Sequence, residues 1–201
     1  MVTDLGRSVL SATPDRVAPL LLGATLRTTS SRGTVALRIT EVEAYGGVGE
    51  DAASHAFNGS TRRNAVMFDK PGLLYMYFVY GMHWCANVVC GPQGSGSAVL
   101  LRAGTVIEGL AIARQRRPKT RYDRDLARGP ANLARTLAIG GDDNGTDLLR
   151  PNAATRLTAA PTRETPAEVA VGPRIGIRRE TERPWRWWIV GEPSVSRTPS
   201  G

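Results

Sequence analysis

A nineteen-residue run, Gly72–Cys90 (GLLYMYFVYGMHWCANVVC), carries no formal charge and constrains the fold more than any other stretch. Its length alone would suffice to cross a bilayer. Tyr75, Tyr77, Tyr80 and Trp84 crowd its interior, however, and Gly81-Met82-His83 interrupts it near the middle. Tyr belongs at bilayer interfaces rather than mid-span. Aromatic and β-branched residues on both sides of a glycine read as two strands around a tight turn. The run is therefore predicted to be a β-hairpin, and no membrane span is expected.

The rest of the chain is organised around that hairpin. Gly and Pro account for 22 and 13 of the 201 residues, too many for an architecture of long helices. Residues 1–20 read as a helical arm, with Thr13-Pro14-Asp15 as a helix start. Thr34–Tyr45 reads as a strand, with Val35, Leu37 and Ile39 alternating against Ala36, Arg38 and Thr40. Gly46–Lys70 is a long loop region containing the polar patch Ser60-Thr61-Arg62-Arg63-Asn64, and loops of that length are functional or disordered. After the hairpin come a Gly/Ser turn at 91–97 and an apolar strand, Ala98–Ala103. Pro130 opens a helical segment, Ala131–Ile139. Pro151–Ala170 reads as surface loop, Arg174–Val190 as strand, and 192–201 as a flexible tail.

Charge limits the partners. Twenty-six basic residues against 18 acidic ones give +8, a surplus that favours a polyanion. Lys70 and Lys119 are the only lysines, and seven basic residues fall within Arg114–Arg128. Cys85 and Cys90 point to opposite faces of an extended strand, so they are not expected to form a bridge. Two thiols and two histidines match no metal signature, and neither a metal nor a cofactor is expected. No signal-like segment follows the acidic N-terminal residues, and a reducing cytoplasm is expected.

Several residues could carry chemistry. Period two places Glu41, Glu43 and Tyr45 on one face, the face of Val35, Leu37 and Ile39. Either these carboxylates line a pocket, or the strand ends at Thr40 and they are solvated. His55 follows Glu50-Asp51 in the loop and reads as a hydrogen-bonding residue rather than a ligand. Tyr80-Gly81-Met82 would leave large apolar side chains at a turn, either as a wedge for nucleic acid or packed beneath a neighbouring loop. Asn87, inside an apolar strand, needs a backbone or ligand partner. Arg102 ends another apolar strand, and pairing with a Glu is its default account.

Taken in order, these segments resemble the alkyladenine (3-methyladenine) DNA glycosylase family. The matching stretches include TEVEAYGG (40–47), EDAASHAFNG (50–59), TRRNAVMF (61–68), KPGLLYMYFVYGMHWCANVV (70–89), AVLLRAG (98–104), LARGPANLARTLAI (126–139) and RIGI…WRWWIVGEPSVS (174–196). The resemblance runs from about residue 17 to about 196. It implies release of damaged purines of the 3-methyladenine type from double-stranded DNA in base excision repair, by a monofunctional hydrolase that leaves an abasic site. Carried over position by position, it implies Glu43 as the catalytic carboxylate. Tyr45, His55 and Tyr77 match the base clamp, and Asn87 the residue that crowds a guanine amino group. Tyr80 matches the side chain that enters the duplex. Arg102, Arg63 and Met82 are implied in backbone contact or water positioning. Arg62 stands where a Pro is common and Phe57 where many relatives carry Tyr. Residues 111–125 are the least family-like.

The expected fold is a single α+β domain over residues 1–201. Its core is a curved antiparallel, partly barrel-like sheet with short helices outside and a protruding hairpin. A monomer is expected, cytoplasmic and nucleoid-associated, with its basic surface free for DNA. Two other classes compete. A non-catalytic damaged-DNA binder fits the charge. A glycoside hydrolase could use Glu41 and Glu43, since alternate strand residues sit roughly 6.5–7 Å apart, but a sugar polymer explains neither the charge nor the aromatic tip.

Overall fold

Two long antiparallel strands form the spine of the structure, a computed structural model that describes residues 5–161 and 168–196. In chain order the elements are α1 (Arg7–Leu10), α2 (Pro14–Leu20), β1 (Thr25–Ser30), β2 (Gly33–Tyr45), β3 (Leu74–Val79), β4 (His83–Cys90), β5 (Ser97–Glu108), α3 (Leu110–Arg116), α4 (Pro130–Leu137), β6 (Thr155–Thr158), β7 (Val169–Gly172) and β8 (Arg186–Ile189). Six strands follow the order β3-β4-β5-β2-β1-β6. β8 pairs with β2 at Glu41–Glu43, beyond the reach of β1, and carries β7 on its other edge. Every pairing is antiparallel, and the sheet curls into a half-barrel, as the strand-rich sequence led us to expect. Among the described residues no helix is long and apolar enough to cross a membrane.

The decisive local feature is a pair of bulges where β2 meets β5. Ile39 pairs with Gly104 and Glu41 with Ala103, so Thr40 is an extra residue on β2; Val42 then pairs with Leu101, leaving Arg102 extra on β5. One inserted residue shifts the side-chain alternation by one position. The apolar row Val35, Leu37, Ile39 therefore continues as Val42 and Ala44, all fully buried in the main core. Glu41, Glu43 and Tyr45 turn to the opposite face. This corrects the sequence expectation that the carboxylates extend the apolar row.

The core fills one side of the sheet. Leu10 and Val17 from the N-terminal helices and Leu21 just after α2, with Leu133 and Leu137 from α4, pack on Leu37, Ile39, Val42, Val88, Val99 and Leu101. Each fully buried Leu contributes about 1.5–3 kcal/mol. Pro14 and Pro130 occupy first-turn positions of α2 and α4, where a missing N–H costs nothing. The other side carries a smaller cluster, Ala56, Met67, Leu73, Tyr75, Val89 and Ala98. There the long 46–70 loop lies against the sheet.

The hairpin forms as predicted, with Leu74 opposite Val88 and Val79 opposite His83. The Met82 N–H donates to the Val79 carbonyl, and Tyr80 and Gly81 both have positive φ, +52° and +64°. That is the φ pattern of a type I′ turn, natural for Gly81 and a cost of about 1 kcal/mol for Tyr80. Tyr80 is 81% and Met82 69% exposed, so the tip does not pack beneath a loop.

Three other expectations change. Within Arg174–Val190 only β8 is strand, because Gly176 at φ +78° and Pro184 break the pattern. The 151–170 segment contains β6 and the start of β7 rather than loop alone. The expected tail does not begin at 192: Glu192 pairs with Arg38 at 2.5 Å, Ser194 is fully buried against Thr40, and the Ser196 N–H donates to Glu41 at 2.7 Å. Residues 197–201 of that predicted tail lie outside the described residues.

Candidate active site

The sheet face turned away from the helices floors a cleft of about 630 Å³. Strand alternation delivers its lining: Tyr75 and Tyr77 from β3, Cys85 and Asn87 from β4, Ala98, Leu100 and Arg102 from β5, and Tyr45 from the end of β2. Ala52, Ala53, His55 and Met67 come from the long loop, Ile175–Arg179 from the irregular segment before β8, and Val79 and Tyr80 from the hairpin. Segments more than a hundred residues apart thus converge on one hollow.

Glu43 lies directly beneath that hollow, with no exposed surface. One oxygen accepts from the Ile175 N–H at 2.7 Å and lies 3.1 Å from Arg102 Nη1; the other accepts from the Tyr45 hydroxyl at 2.9 Å. Ile175, Arg102 and Tyr45 all line the cleft, so the carboxylate is held one layer below its floor. Burial, then the Glu43 charge, push the Tyr45 hydroxyl well above its ordinary value, so it remains a donor.

Glu41 is equally buried but differently employed. Its Oε1 accepts from Arg102 Nε at 3.0 Å and Arg186 Nε at 2.6 Å, and its Oε2 from the Ser196 N–H. Arg102 therefore bridges both carboxylates, which meets the default account of pairing with a Glu twice over. Burial opposes its charge, but Glu43 and Glu41 more than offset that and raise its value further.

A second buried pair lies alongside. Arg174 and Asp51 have fully buried side chains joined by two hydrogen bonds, at 2.6 and 2.9 Å. Asp51 also accepts from the Gly46 and Ala53 N–H groups, and Arg174 donates to the Ala44 carbonyl. Burial alone would raise the Asp51 carboxyl; Arg174 and the two N–H groups hold it below the usual carboxylate range instead. One ion pair thus ties the end of β2, the approach to His55 and the residue preceding Ile175. The Arg174 guanidinium also lies 4.8 Å from the centre of the Tyr45 ring.

The aromatic residues form a wall. His55 and Tyr77 stack with ring centroids 3.6 Å apart, and Arg63 lies 4.4 Å from the centre of the Tyr77 ring while donating to the Phe78 carbonyl. Burial of the ring, and then the Arg63 charge, lower His55 to about 4. His55 is therefore neutral at physiological pH, although it keeps an exposed edge. Asn87 donates to the Tyr75 carbonyl at 3.1 Å, which meets the expected backbone satisfaction. Its oxygen has no hydrogen-bond partner among the described residues and belongs to the cleft wall. Burial pushes the Cys85 thiol up to about 11, so it is an inert wall residue; Cys90 is buried and also free.

Of the residues singled out from sequence, Tyr45, His55, Tyr77, Tyr80, Asn87 and Arg102 line the hollow, Glu43 lies under it, and Arg63 backs its wall. Met82 sits at the exposed tip rather than in the lining. Sequence reasoning missed Asp51 and Arg174 as partners, the Ile175 N–H, and Arg178 and Arg179 on the lip. Only the RIGI string hinted at this segment, and it carries no chemistry until it folds back on β2. Among the described residues no group of three or more His, Cys, Asp or Glu side chains is placed to hold a metal ion.

This combination belongs to a recognised class. The methylpurine-DNA glycosylase family description matches residues 8–193, and the chain belongs to that family. Its relatives include a protein of Leifsonia xyli, 52% identical over 95% of this chain and 91% of its own length. One from Nocardia farcinica is also 52% identical, over 91% and 86%, and one from Streptomyces avermitilis 47%, over 96% and 91%. All three carry the provisional name 3-methyladenine DNA glycosylase.

Proposed function

We propose that this chain removes alkylated purines of the 3-methyladenine type from double-stranded DNA by hydrolysing the N-glycosidic bond, with Glu43 as general base. The observation that carries this reading is a fully buried carboxylate, fixed by two hydrogen bonds and an ion pair, directly beneath an aromatic cleft. The target nucleotide leaves the stack and its base lies between Tyr45 and the stacked His55–Tyr77 pair. Tyr80, already exposed at the turn, fills the space vacated in the duplex. Asn87 crowds a purine that carries a 2-amino group.

The chemistry is a displacement at C1′. A water gives its proton to Glu43 as its oxygen bonds to C1′. The C1′–N bond breaks and its electron pair leaves with the purine, giving an abasic site. Alkylation at N3 or N7 makes the purine cationic, so it departs neutral without an acid. Stacking on electron-rich rings favours such a cation. Arg102 and the Ile175 N–H act as positioning groups for Glu43. Schiff-base strand cleavage would need an amine in the cleft; Lys70 instead pairs with Asp147 at 3.3 Å and Lys119 is not among the lining residues. The enzyme is monofunctional and acts as a monomer.

The glycoside hydrolase alternative needs a second carboxyl available to substrate; the partners of Glu43 all line the cleft, whereas Glu41 is held by Arg102 together with Arg186 and Ser196, which do not. The non-catalytic binder is separated by experiment. Release of 3-methyladenine from methylated duplex DNA is measured with wild type and Glu43→Gln. Release by the wild type and not by the variant, with retained binding of damaged DNA, is the expected result. Release by neither overturns the enzymatic reading.

A further inference from the structure

The seven basic residues of 114–128 look alike in sequence, and the structure sorts them. Arg114 is held in a two-pronged pair with exposed Asp123, Arg116 donates to the Thr136 carbonyl, and Arg124 lies 4.5 Å from the centre of the Tyr122 ring. Arg128 pairs with Asp125 at 2.5 Å and donates to the Pro193 carbonyl. Arg117 and Arg121 make no side-chain ion pair or hydrogen bond among the described residues; Arg121 lies 5.1 Å from the centre of the same Tyr122 ring, whereas the Nε of Arg117, like that of Arg128, is buried without a partner. Arg117 lines a second hollow of about 460 Å³ with Thr120, Arg121, Asp125, Arg128 and Asn132. Three guanidinium groups there face one carboxylate, and that carboxylate is already committed to Arg128.

Arg117 and Arg121 are left without a counter-charge there, and like charges so gathered are costly unless an anion joins them. Burial and the neighbouring Arg135 both lower Arg117 from its ordinary value, as expected where cations crowd each other. The hollow and the cleft both reach the start of α4. Pro130, at the first turn of α4, lines the cleft, while Arg128 and Asn132, two residues to either side, line the hollow. A strand whose nucleotide enters the cleft would run its backbone past this shoulder.

We infer that Arg117 and Arg121 bind a phosphodiester of the DNA strand next to the nucleotide held in the cleft, in this hollow whose wall Arg128 and Asn132 complete. This rests on the glycosylase reading above and adds a binding site to it. Arginine suits the task because its fork matches phosphate oxygens in pairs; Thr120 adds a neutral donor, while the Asn132 amide already donates to the Arg128 carbonyl at 2.6 Å.

The test uses an undamaged 20-bp duplex, so it does not depend on base release. Affinity is measured across salt concentrations for wild type, Arg117→Ala, Arg117→Glu and, as the control, Arg114→Ala, with melting curves confirming that each variant folds. Loss of one phosphate contact lowers the slope of log K against log salt by about 1 and weakens binding roughly three- to tenfold. That result is expected for Arg117→Ala, more strongly for Arg117→Glu, and not for Arg114→Ala. Equal slopes for wild type and Arg117→Ala overturn the proposal, as does an equal loss in Arg114→Ala, which would mark the charge as diffuse. Inorganic phosphate is the second probe: competition with DNA at constant ionic strength in wild type, lost in Arg117→Ala, is expected, whereas saturable phosphate binding that leaves DNA affinity unchanged would assign the hollow to free phosphate and also overturn the proposal. A wild type with no salt-dependent DNA binding would instead refute the glycosylase reading itself.

Discussion

The floor of the cleft and the tip of the hairpin are built on opposite principles. At the floor, Glu41, Glu43 and Asp51 are fully buried, and each carboxylate oxygen has at least one donor. At the tip, Tyr80 and Met82 stand exposed on a turn that strains Tyr80. A buried charge is tolerated only with its partners in place, so the geometry around Glu43 has to be completed within the protein itself. The tip is left incomplete, and under the proposed function the duplex supplies what it lacks. Under that proposed function, preorganisation serves the chemical step and the unpartnered apolar tip serves recognition.

The largest effect expected from breaking this contrast is at Glu43. Glu43→Gln keeps the shape but cannot take a proton, and base release should fall about 10²–10⁴-fold; single-turnover rates on methylated duplex measure it. Next is Asp51→Asn, which leaves Arg174 buried without its counter-charge. It should cost about 3–5 kcal/mol, seen as a melting temperature lower by roughly 10 °C. A loss below about 1 kcal/mol would mean that the floor is not the rigid region described.

Tyr80→Ala should behave in the opposite way. Stability stays within about 0.5 kcal/mol, while release from a duplex falls roughly tenfold to a hundredfold through lost stacking. A variant as destabilised as Asp51→Asn would erase the distinction between the two regions.

The smallest expected effect concerns His55. Its folded value of about 4 lies below the ordinary 6.5, so the unfolded chain takes up the proton first as pH falls. His55 therefore costs the folded state no stability above about pH 6.5, and a growing amount from there down to about 4. Melting curves between pH 7.5 and 4.5 should decline less steeply in His55→Gln than in wild type. Equal slopes would mean that His55 titrates as it does in solvent.

The hairpin, β2, the α4 start at Pro130 and most of the cleft lining were legible because each rests on local pattern: alternation, turn glycines and helix-start prolines. The side of the sheet that Glu43 faces was not. Unbroken alternation placed it with the core, and only the bulge at Thr40, visible once β5 is paired, turned it toward the cleft. Arg174 and Ile175 were unreadable for a related reason, since they reach Glu43 and Asp51 from more than 120 residues away. The ordered residues 192–196 looked like a tail because nothing nearby in sequence holds them; Arg38, Thr40 and Glu41 do.

By itself, then, the sequence determined the chemistry available: a carboxylate pair, an aromatic hairpin, an arginine surplus and the family they resemble. The tertiary structure decided which carboxylate meets the cleft, which arginines keep their charge available and which donors hold Glu43. Residue type and spacing record local preference, whereas hydrogen bonds and ion pairs between distant segments depend on strand register, which a single inserted residue can reverse.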